Sequence, residues 1–300
     1  MMQSTIDIEG AVDLHVHCGP SLFARRVDGY ELAVQAAQAG MDGIVMKEHH
    51  LPTVYGVSYV EKLLDQADED YDIEVMGSAV MNYCVGGFNP FLVQTAIDYG
   101  AEVIWAPTID ARNHGQKTGG VGQYLGRDDI GDEYRDVTGL YALNDEGELM
   151  RDVRLCLDKI AENDVIFSVG HLTYEETKRM VDYLADQGHE KIVVDHPNFH
   201  ITDFDSEQQH ELVDAGAFVN FQFASVSPKF YWQSPGEVVE TVADLGIGNC
   251  VISSDMGQVA NPSAPEGLRI FGELLLEEGM TEEEYQTVIE TNPKWLLGWE

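Results

Sequence analysis

The chain has 300 residues, 53 of them acidic and 17 basic, so its formal net charge is −36. Hydrophobic residues make up 44 % of the sequence, enough for a folded core, which excludes a disordered acidic tail. The charge argues against a nucleic-acid partner, because such a protein needs a basic surface that neutralises phosphates. No apolar run approaches the roughly 20 residues that cross a bilayer, so no membrane partner is expected.

A repeated unit runs along the chain, consisting of an amphipathic helix, a glycine, a short apolar strand and a polar loop. Five glycines stand where such a helix would end in the left-handed conformation: Gly40, Gly100, Gly188, Gly216 and Gly246. Eight strands are predicted: Ala11–His17, Gly43–His50, Ile73–Met81, Ala101–Thr108, Val165–His171, Lys191–His196, Ala217–Phe223 and Asn249–Asp255. This alternation predicts an α/β fold, a single (β/α)8 TIM barrel domain over residues 1–300.

An open, doubly wound sheet is the alternative architecture. Its strands are buried on both faces and are normally apolar throughout. Several of the predicted strands instead carry ionisable residues at their C-terminal ends. In a barrel those ends meet at the mouth, where the active sites of barrel enzymes lie, so the barrel is favoured.

One long segment interrupts the pattern, a loop insertion over residues 109–150, between strand four and the helix that starts near Arg151. It is rich in Gly, Asp and Tyr, and its residues 144–147 (Asn-Asp-Glu-Gly) predict the tight turn of a small hairpin. A loop of this length is often a lid over an active site, but a plain surface insertion is an equal alternative.

Strand one carries two histidines, His15 and His17, in an i, i+2 pair. Because side chains alternate across a strand, Asp13 is expected on the same face as both histidines, with the apolar residues between them on the other. Two imidazoles that face the barrel interior form a two-ligand metal site. A His-x-His pair alone is weak evidence, but burying two histidines without a partner would be costly.

Further metal-ligand residues fall at the ends of three other strands. Strand five ends at His171, strand six at His196 and strand eight at Asp255. With the pair on strand one, four imidazoles and one carboxylate are expected to converge at the barrel mouth. This set suits Zn²⁺, with Mn²⁺, Fe²⁺ or Co²⁺ as alternatives.

In this strand order, His-x-His on strand one, histidines on strands five and six and an aspartate on strand eight, the chain resembles the amidohydrolase superfamily of metal-dependent hydrolases. Its C-terminal segment Glu290–Gly298, with an Asn-Pro pair, leucines and a final glycine, is similar to the ending common in that superfamily. The resemblance covers essentially the whole chain.

The resemblance assigns a role to each of these residues. It implies that His15 and His17 bind a first metal ion with the help of Asp255, and that His171 and His196 hold a second. It also implies that Asp255 acts as general base towards a metal-activated water and then passes the proton to the leaving group.

Strand four departs from the superfamily pattern. Many binuclear members bridge their metals with a carboxylated lysine or a glutamate from that strand, whereas here it has no lysine, and its single acid, Glu102, lies at the wrong end. Strand two carries Lys47 and His49 on one face instead. Lys47 is a candidate for a bridging carbamate, for an ammonium that anchors an anionic substrate, or for a structural ion pair; His49 could ligate or polarise. One metal ion or two are both consistent with this set.

The predicted mouth loops also carry basic residues. Arg25 and Arg26 follow strand one, and Arg112 follows strand four, close to His114. With only nine arginines in so acidic a chain, these positions favour recognition of a carboxylate or phosphate group of the substrate. Ion pairs with surface acids are an equal alternative.

The leading functional hypothesis is therefore an enzyme, a metal-dependent hydrolase acting on an amide, cyclic amide or lactone bond of a small substrate. One alternative is a phosphoesterase of the polymerase-and-histidinol-phosphatase type, whose Asp-x-His near the C-terminus is replaced here by Asp255-Met256-Gly257. Decarboxylation on the same barrel and a barrel that only binds ligand are the others, and the latter would be expected to lack the general base.

The cellular setting follows from composition. The four cysteines are widely spaced, with no Cys-x-x-Cys pair, and the first ten residues are unlike a secretory signal, so a cytoplasmic location is expected. The evenly spread carboxylates and few lysines resemble cytoplasmic proteins of salt-loving microbes. A small-molecule substrate is the expected partner, and homo-oligomerisation is left open.

Overall fold

Eight β-strands alternate with helices in the computed structural model, which describes residues 6–122 and 137–299. The strands are β1 (Val12–His17), β2 (Gly43–Lys47), β3 (Glu74–Val80), β4 (Ala101–Trp105), β5 (Ile166–Val169), β6 (Ile192–Asp195), β7 (Phe218–Gln222) and β8 (Cys250–Ser253). They pair in parallel in the order β1 to β8. Beyond β8, the Asp255 amide donates to the His15 carbonyl oxygen at 2.8 Å, which joins the two edges of the sheet. The predicted TIM barrel is confirmed.

The helices are α1 (Gly29–Gln38), α2 (Val57–Asp65), α3 (Pro90–Asp98), α4 (Arg112–Thr118), α5 (Arg151–Glu162), α6 (Tyr174–Ala185), α7 (Ser206–Asp214), α8 (Pro235–Leu245), α9 (Ala264–Glu277), α10 (Glu282–Gln286) and α11 (Asn292–Leu297). Helix α1 begins at a capping box in which Asp28 and Glu31 each bind the other's backbone amide. The five predicted helix-ending glycines all have positive φ. No helix in the described part of the chain is long and apolar enough to cross a membrane.

The barrel interior is apolar towards one end and polar at the mouth. Val45, Val103 and Val251 belong to an interior cluster that also includes Leu296 of α11. A Cβ at Gly43, the first residue of β2, would lie 2.8 Å from the Trp299 ring. The C-terminal segment therefore covers the N-terminal end of the barrel, and the functional groups lie at the opposite end.

Strand β1 departs from the regular alternation. Its register against β2 shifts between Asp13, which pairs with Ile44, and Val16, which pairs with Met46. Two residues, Leu14 and His15, therefore stand opposite one residue of β2, which is a β-bulge. Asp13 follows the parity of Ile44, whose side chain packs with the outer helices. The expectation that Asp13 shares a face with both histidines is wrong, because the extra residue reverses the alternation.

Part of the predicted insertion over residues 109–150 has regular structure. It contains α4, and its residues 143–149 form the predicted hairpin, in which the Gly147 amide donates to the Asn144 carbonyl oxygen at 3.0 Å. Residues 123–136 of this segment lie outside the described residues. A lid role for the insertion stays a prediction.

Candidate metal centre

The Asp255 carboxylate lies among three imidazoles at the barrel mouth. Its Oδ1 is 3.1 Å from His17 Nε2 and 3.5 Å from His15 Nε2, and its Oδ2 is 4.0 Å from His196 Nε2. Ligand atoms of His15, His196 and Asp255 all lie within 4.8 Å of one another. One divalent ion with bonds of about 2.0–2.2 Å needs only small side-chain movements to bind all three. The structure thus brings four of the five predicted ligands to one place.

Backbone conformation aims two of these side chains at the centre. His196 has φ 55° and Asp255 has φ 49°, in the left-handed region that non-glycine residues rarely adopt. Along β6, Val193 and Asp195 face the barrel interior, so regular alternation would direct His196 outwards. The left-handed residue turns it back to the mouth. Such strained positions cluster at functional sites.

The fifth predicted ligand, His171, lies beside His196 and outside the group formed by the other four. Its ring centre is 5.8 Å from that of His196, and its Nδ1 is 2.8 Å from His114 Nδ1, with the two rings stacked. Burial, together with the nearby His114 and His196, holds the pKa of His171 well below its usual value. His114, predicted from its loop position to bind substrate, is completely buried and is in position to orient His171.

Lys47 and His49 both reach the interior, as the parity of β2 predicts. Lys47 is 1 % exposed, and its Nζ is 3.0 Å from His15 Nε2 and 4.7 Å from the centre of the Trp105 ring. Burial lowers the pKa of Lys47 to about 8, although Asp195 and Asp255 act in the opposite direction. His49 Nδ1 lies 2.9 Å from Thr108 Oγ1. Lys47 is therefore placed among the predicted ligands.

Trp105 is a residue of this site that sequence reasoning missed. It ends β4, the strand on which a bridging lysine or glutamate was sought, and it is almost completely buried. Its indole Nε1 donates to Asp195 Oδ2 at 2.7 Å, and its ring lies under Lys47. The parity of β4 signals its inward orientation, but a tryptophan in an apolar strand is indistinguishable from core.

The three predicted substrate-binding arginines have different surroundings. The Arg25 side chain is only 6 % exposed, and its Nη2 lies 3.1 Å from His17 Nδ1. Arg26 is exposed and donates from Nη1 to the Asn261 carbonyl oxygen at 3.0 Å. The Arg112 guanidinium stacks 3.4 Å from the centre of the Tyr141 ring. Arg25 is thus the arginine that reaches the histidine cluster.

Glu48 is a second residue that the sequence did not single out. It is buried behind the mouth, where it accepts hydrogen bonds from the Ser21 hydroxyl and, at 2.5 Å, from the His50 amide. Burial alone would raise its pKa, but hydrogen bonds from His50 and Ser21 outweigh burial and lower the pKa to about 2. A buried, ionised Glu48 lies 3.9 Å from Arg25 Nη2 and helps to hold that side chain.

The donor set fits a divalent metal ion. Burial holds the pKa of His17 well below its usual value and lowers that of His196 to about 3, so both imidazoles are neutral and keep a lone pair. Neutral imidazoles with one carboxylate are the ligands of catalytic zinc sites, and they also suit Mn²⁺, Fe²⁺ and Co²⁺. The side chains present are therefore those that such an ion requires.

Solved structures with the same architecture come from several enzymes. An amidohydrolase from Pseudomonas aeruginosa matches with a TM-score of 0.61 and 12 % identity, covering 96 % of this chain and 95 % of that one. The probable dipeptidase PvdM from the same organism gives 0.60 and 12 %, covering 96 % and 94 %. The phosphotriesterase homology protein from Escherichia coli, complexed with phosphate in its active site, gives 0.59 and 14 %, covering 97 % and 99 %. At these identities the likeness establishes the fold alone.

Sequence comparison gives a different kind of result. No curated protein matches the chain significantly. A family model described as a family of unknown function (DUF6282) matches residues 10–220, which run from just before β1 to the third residue of β7. Since the match includes well over half of the 300 residues, the chain belongs to this family.

Proposed function

We propose that this protein is a metal-dependent hydrolase of the amidohydrolase superfamily, acting on an amide, cyclic amide or lactone bond of a small anionic substrate. The observation that carries the proposal is the grouping of His15, His196 and Asp255, with ligand atoms within 4.8 Å of one another at the barrel mouth. The solved structures of similar fold support it, because an amidohydrolase and a probable dipeptidase are among them.

In this proposal His15, His17 and Asp255 hold the first ion. His196, expected from the resemblance to hold a second ion with His171, joins them instead, because its Nε2 lies 4.0 Å from Asp255 Oδ2, and His171 is available to a second ion. A divalent ion at this position supplies Lewis acidity, which acidifies a water molecule and polarises the scissile carbonyl oxygen. Zinc is the metal that the histidine-rich set favours. Lys47 and His49 are the further candidates for ligands, with Lys47 either carboxylated as a bridge or retained as an ammonium.

Asp255 is the proposed general base. Burial raises the pKa of its carboxyl group, which makes the carboxylate a better proton acceptor than an exposed aspartate. It takes a proton from the attacking water and delivers it to the nitrogen or oxygen of the leaving group. Arg25, which is buried beside His17, is the proposed partner of a substrate carboxylate.

The test combines metal analysis with activity. Metal content and hydrolysis of amide, cyclic amide, lactone and phosphate ester panels are measured for the wild type, His15→Ala and Asp255→Asn. Matched controls are His210→Ala and Asp244→Asn, two paired residues of α7 and α8 whose side chains are 41 % and 59 % exposed. We expect bound divalent ion in the wild type and both controls, weakened binding in His15→Ala, and loss of turnover by about 100-fold or more in Asp255→Asn.

Three results would count against the proposal. The proposed metal site would be refuted by a wild type that binds no divalent ion, or by a His15→Ala variant that binds the ion as tightly as the wild type. Turnover by Asp255→Asn at the wild-type rate removes the general base. Activity confined to phosphate esters would instead favour a phosphoesterase, and carbon dioxide release from a carboxylic acid would favour a decarboxylase.

A further inference from the structure

Asp195, at the end of β6, is a completely buried carboxylate with an unusual number of hydrogen-bond donors. Its donors come from four other strands: Trp105 Nε1 at 2.7 Å, Ser168 Oγ at 2.5 Å, Asn220 Nδ2 at 2.6 Å, Gln222 Nε2 at 2.8 Å and His15 Nδ1 at 3.4 Å. A carboxylate only accepts hydrogen bonds, so it can satisfy all five donors at once, whereas an amide cannot.

The contacts of His15 determine which of its nitrogens carries the proton. Lys47 Nζ lies 3.0 Å from His15 Nε2 and, as an ammonium, can only donate to that nitrogen, whereas the Asp255 carboxylate on the same side is further away, at 3.5 Å. A neutral imidazole whose Nε2 accepts must carry its hydrogen on Nδ1. That nitrogen faces Asp195 Oδ1, which can only accept. The two contacts, on opposite sides of the ring, therefore select the same tautomer.

We propose that Asp195 is a positioning residue that keeps His15 protonated on Nδ1, so that the Nε2 lone pair points to the metal position beside Asp255. The inference rests on the proposed function for the identity of the ion, but the tautomer itself is independent of it. Buried carboxylates that accept the second nitrogen of a ligand histidine orient the ring and raise its basicity in metal sites generally.

The other four donors hold the Asp195 carboxylate in the orientation that His15 requires. Three of these donors are N–H groups that cannot accept a hydrogen bond, so both oxygens of Asp195 act as acceptors. Asn220 and Gln222 of β7 hold Oδ1, and Trp105 and Ser168 hold Oδ2. The carboxylate is therefore fixed from both sides and cannot turn away from His15.

The test is nitrogen NMR of metal-free protein labelled with ¹⁵N-histidine at pH 7, below the Lys47 pKa of about 8, comparing the wild type, Asp195→Asn and Asp244→Asn. The His15 signals are identified by their absence from His15→Gln. Asp244→Asn is the matched control, since it makes the same substitution at an exposed carboxylate that contacts the surface residue His210. We expect an Nδ1-protonated pattern for His15 in the wild type and the control, and a shift towards Nε2 protonation in Asp195→Asn.

Zinc titration gives the second readout, with affinity expected to fall by about 10- to 100-fold in Asp195→Asn and to change little in Asp244→Asn. The inference is overturned if wild-type His15 is protonated on Nε2, a measurement that needs no variant, or if folded Asp195→Asn keeps the wild-type pattern. If the wild type binds no metal, but its His15 has the expected tautomer and Asp195→Asn loses it, the proposed function is refuted and the role of Asp195 stands.

Discussion

Gly170, directly before His171, provides a test of how closely β4 and β5 approach each other behind the metal centre. A Cβ at this position would lie 2.1 Å from the Pro107 carbonyl oxygen and 2.6 Å from that of Ala106. Both atoms belong to the backbone, and the Pro107 oxygen also accepts the His171 amide hydrogen bond at 2.9 Å. Relief in Gly170→Ala therefore requires the two chain segments to move apart.

The cost follows from that geometry. Real Cβ contacts are essentially never under 3.0 Å, so the Pro107 oxygen must move by about 1 Å. Overpacking that is relieved by movement of side chains lowers the free energy of unfolding by about 1–3 kcal/mol. Here backbone atoms must move instead, so we expect a loss at or above the upper end of that range. We expect a loss of ~3 kcal/mol or more, which corresponds to a fall in Tm of roughly 5 °C or more for a 300-residue domain. The same movement displaces His171 from His114.

The assay is denaturant unfolding and thermal melting of Gly170→Ala beside Gly56→Ala. Gly56 has no atom within 4 Å of an added Cβ and a φ of −97°, so its substitution is expected to be nearly neutral. A Gly170→Ala variant whose free energy of unfolding lies within about 0.5 kcal/mol of the Gly56→Ala value would refute the reasoning, because ordinary surface substitutions fall in that range.

Three further predictions concern stability and reactivity. Asn292→Ala should lower the free energy of unfolding by about 2 kcal/mol or more, because the Asn292 side-chain amide donates to two backbone carbonyl oxygens beside β8, at 2.7 and 2.9 Å. An unfolding curve equal to that of the wild type would contradict this. Asp28→Ala should cost about 1 kcal/mol through loss of the α1 cap, while Asp28→Ser, which can still cap, should cost little; equal losses in denaturant unfolding would argue against the capping contribution. Cys84 is exposed, whereas the other three cysteines are buried. Because burial raises the pKa of all four thiols, alkylation of the native protein should be slow, and mass spectrometry should find it at Cys84 alone. The other three thiols should react only after denaturation. Native labelling of a buried thiol at the rate of Cys84 would contradict the packing.

The contrast between His15 and Lys47 shows what remote contacts add. His15 stands out in the sequence, because a His-x-His pair at a strand end is a local pattern. Lys47 could be oriented by the parity of β2, but its contact with His15 Nε2 depends on how β1 and β2 register across a bulge. An extra residue in a strand costs little locally and leaves no clear signature, so the sequence did not reveal that Asp13 leaves the histidine face.

The sequence by itself determined the eight strands, their alternation with helices and the placement of the histidines and Asp255 at or just beyond the strand ends. These features follow from residue periodicity and from helix-ending glycines, which act over a few neighbours. Only the tertiary structure decided that Asp195 gathers donors from four strands and that His114 stands behind His171. These contacts join residues far apart in the chain, and only closure of the barrel brings them together.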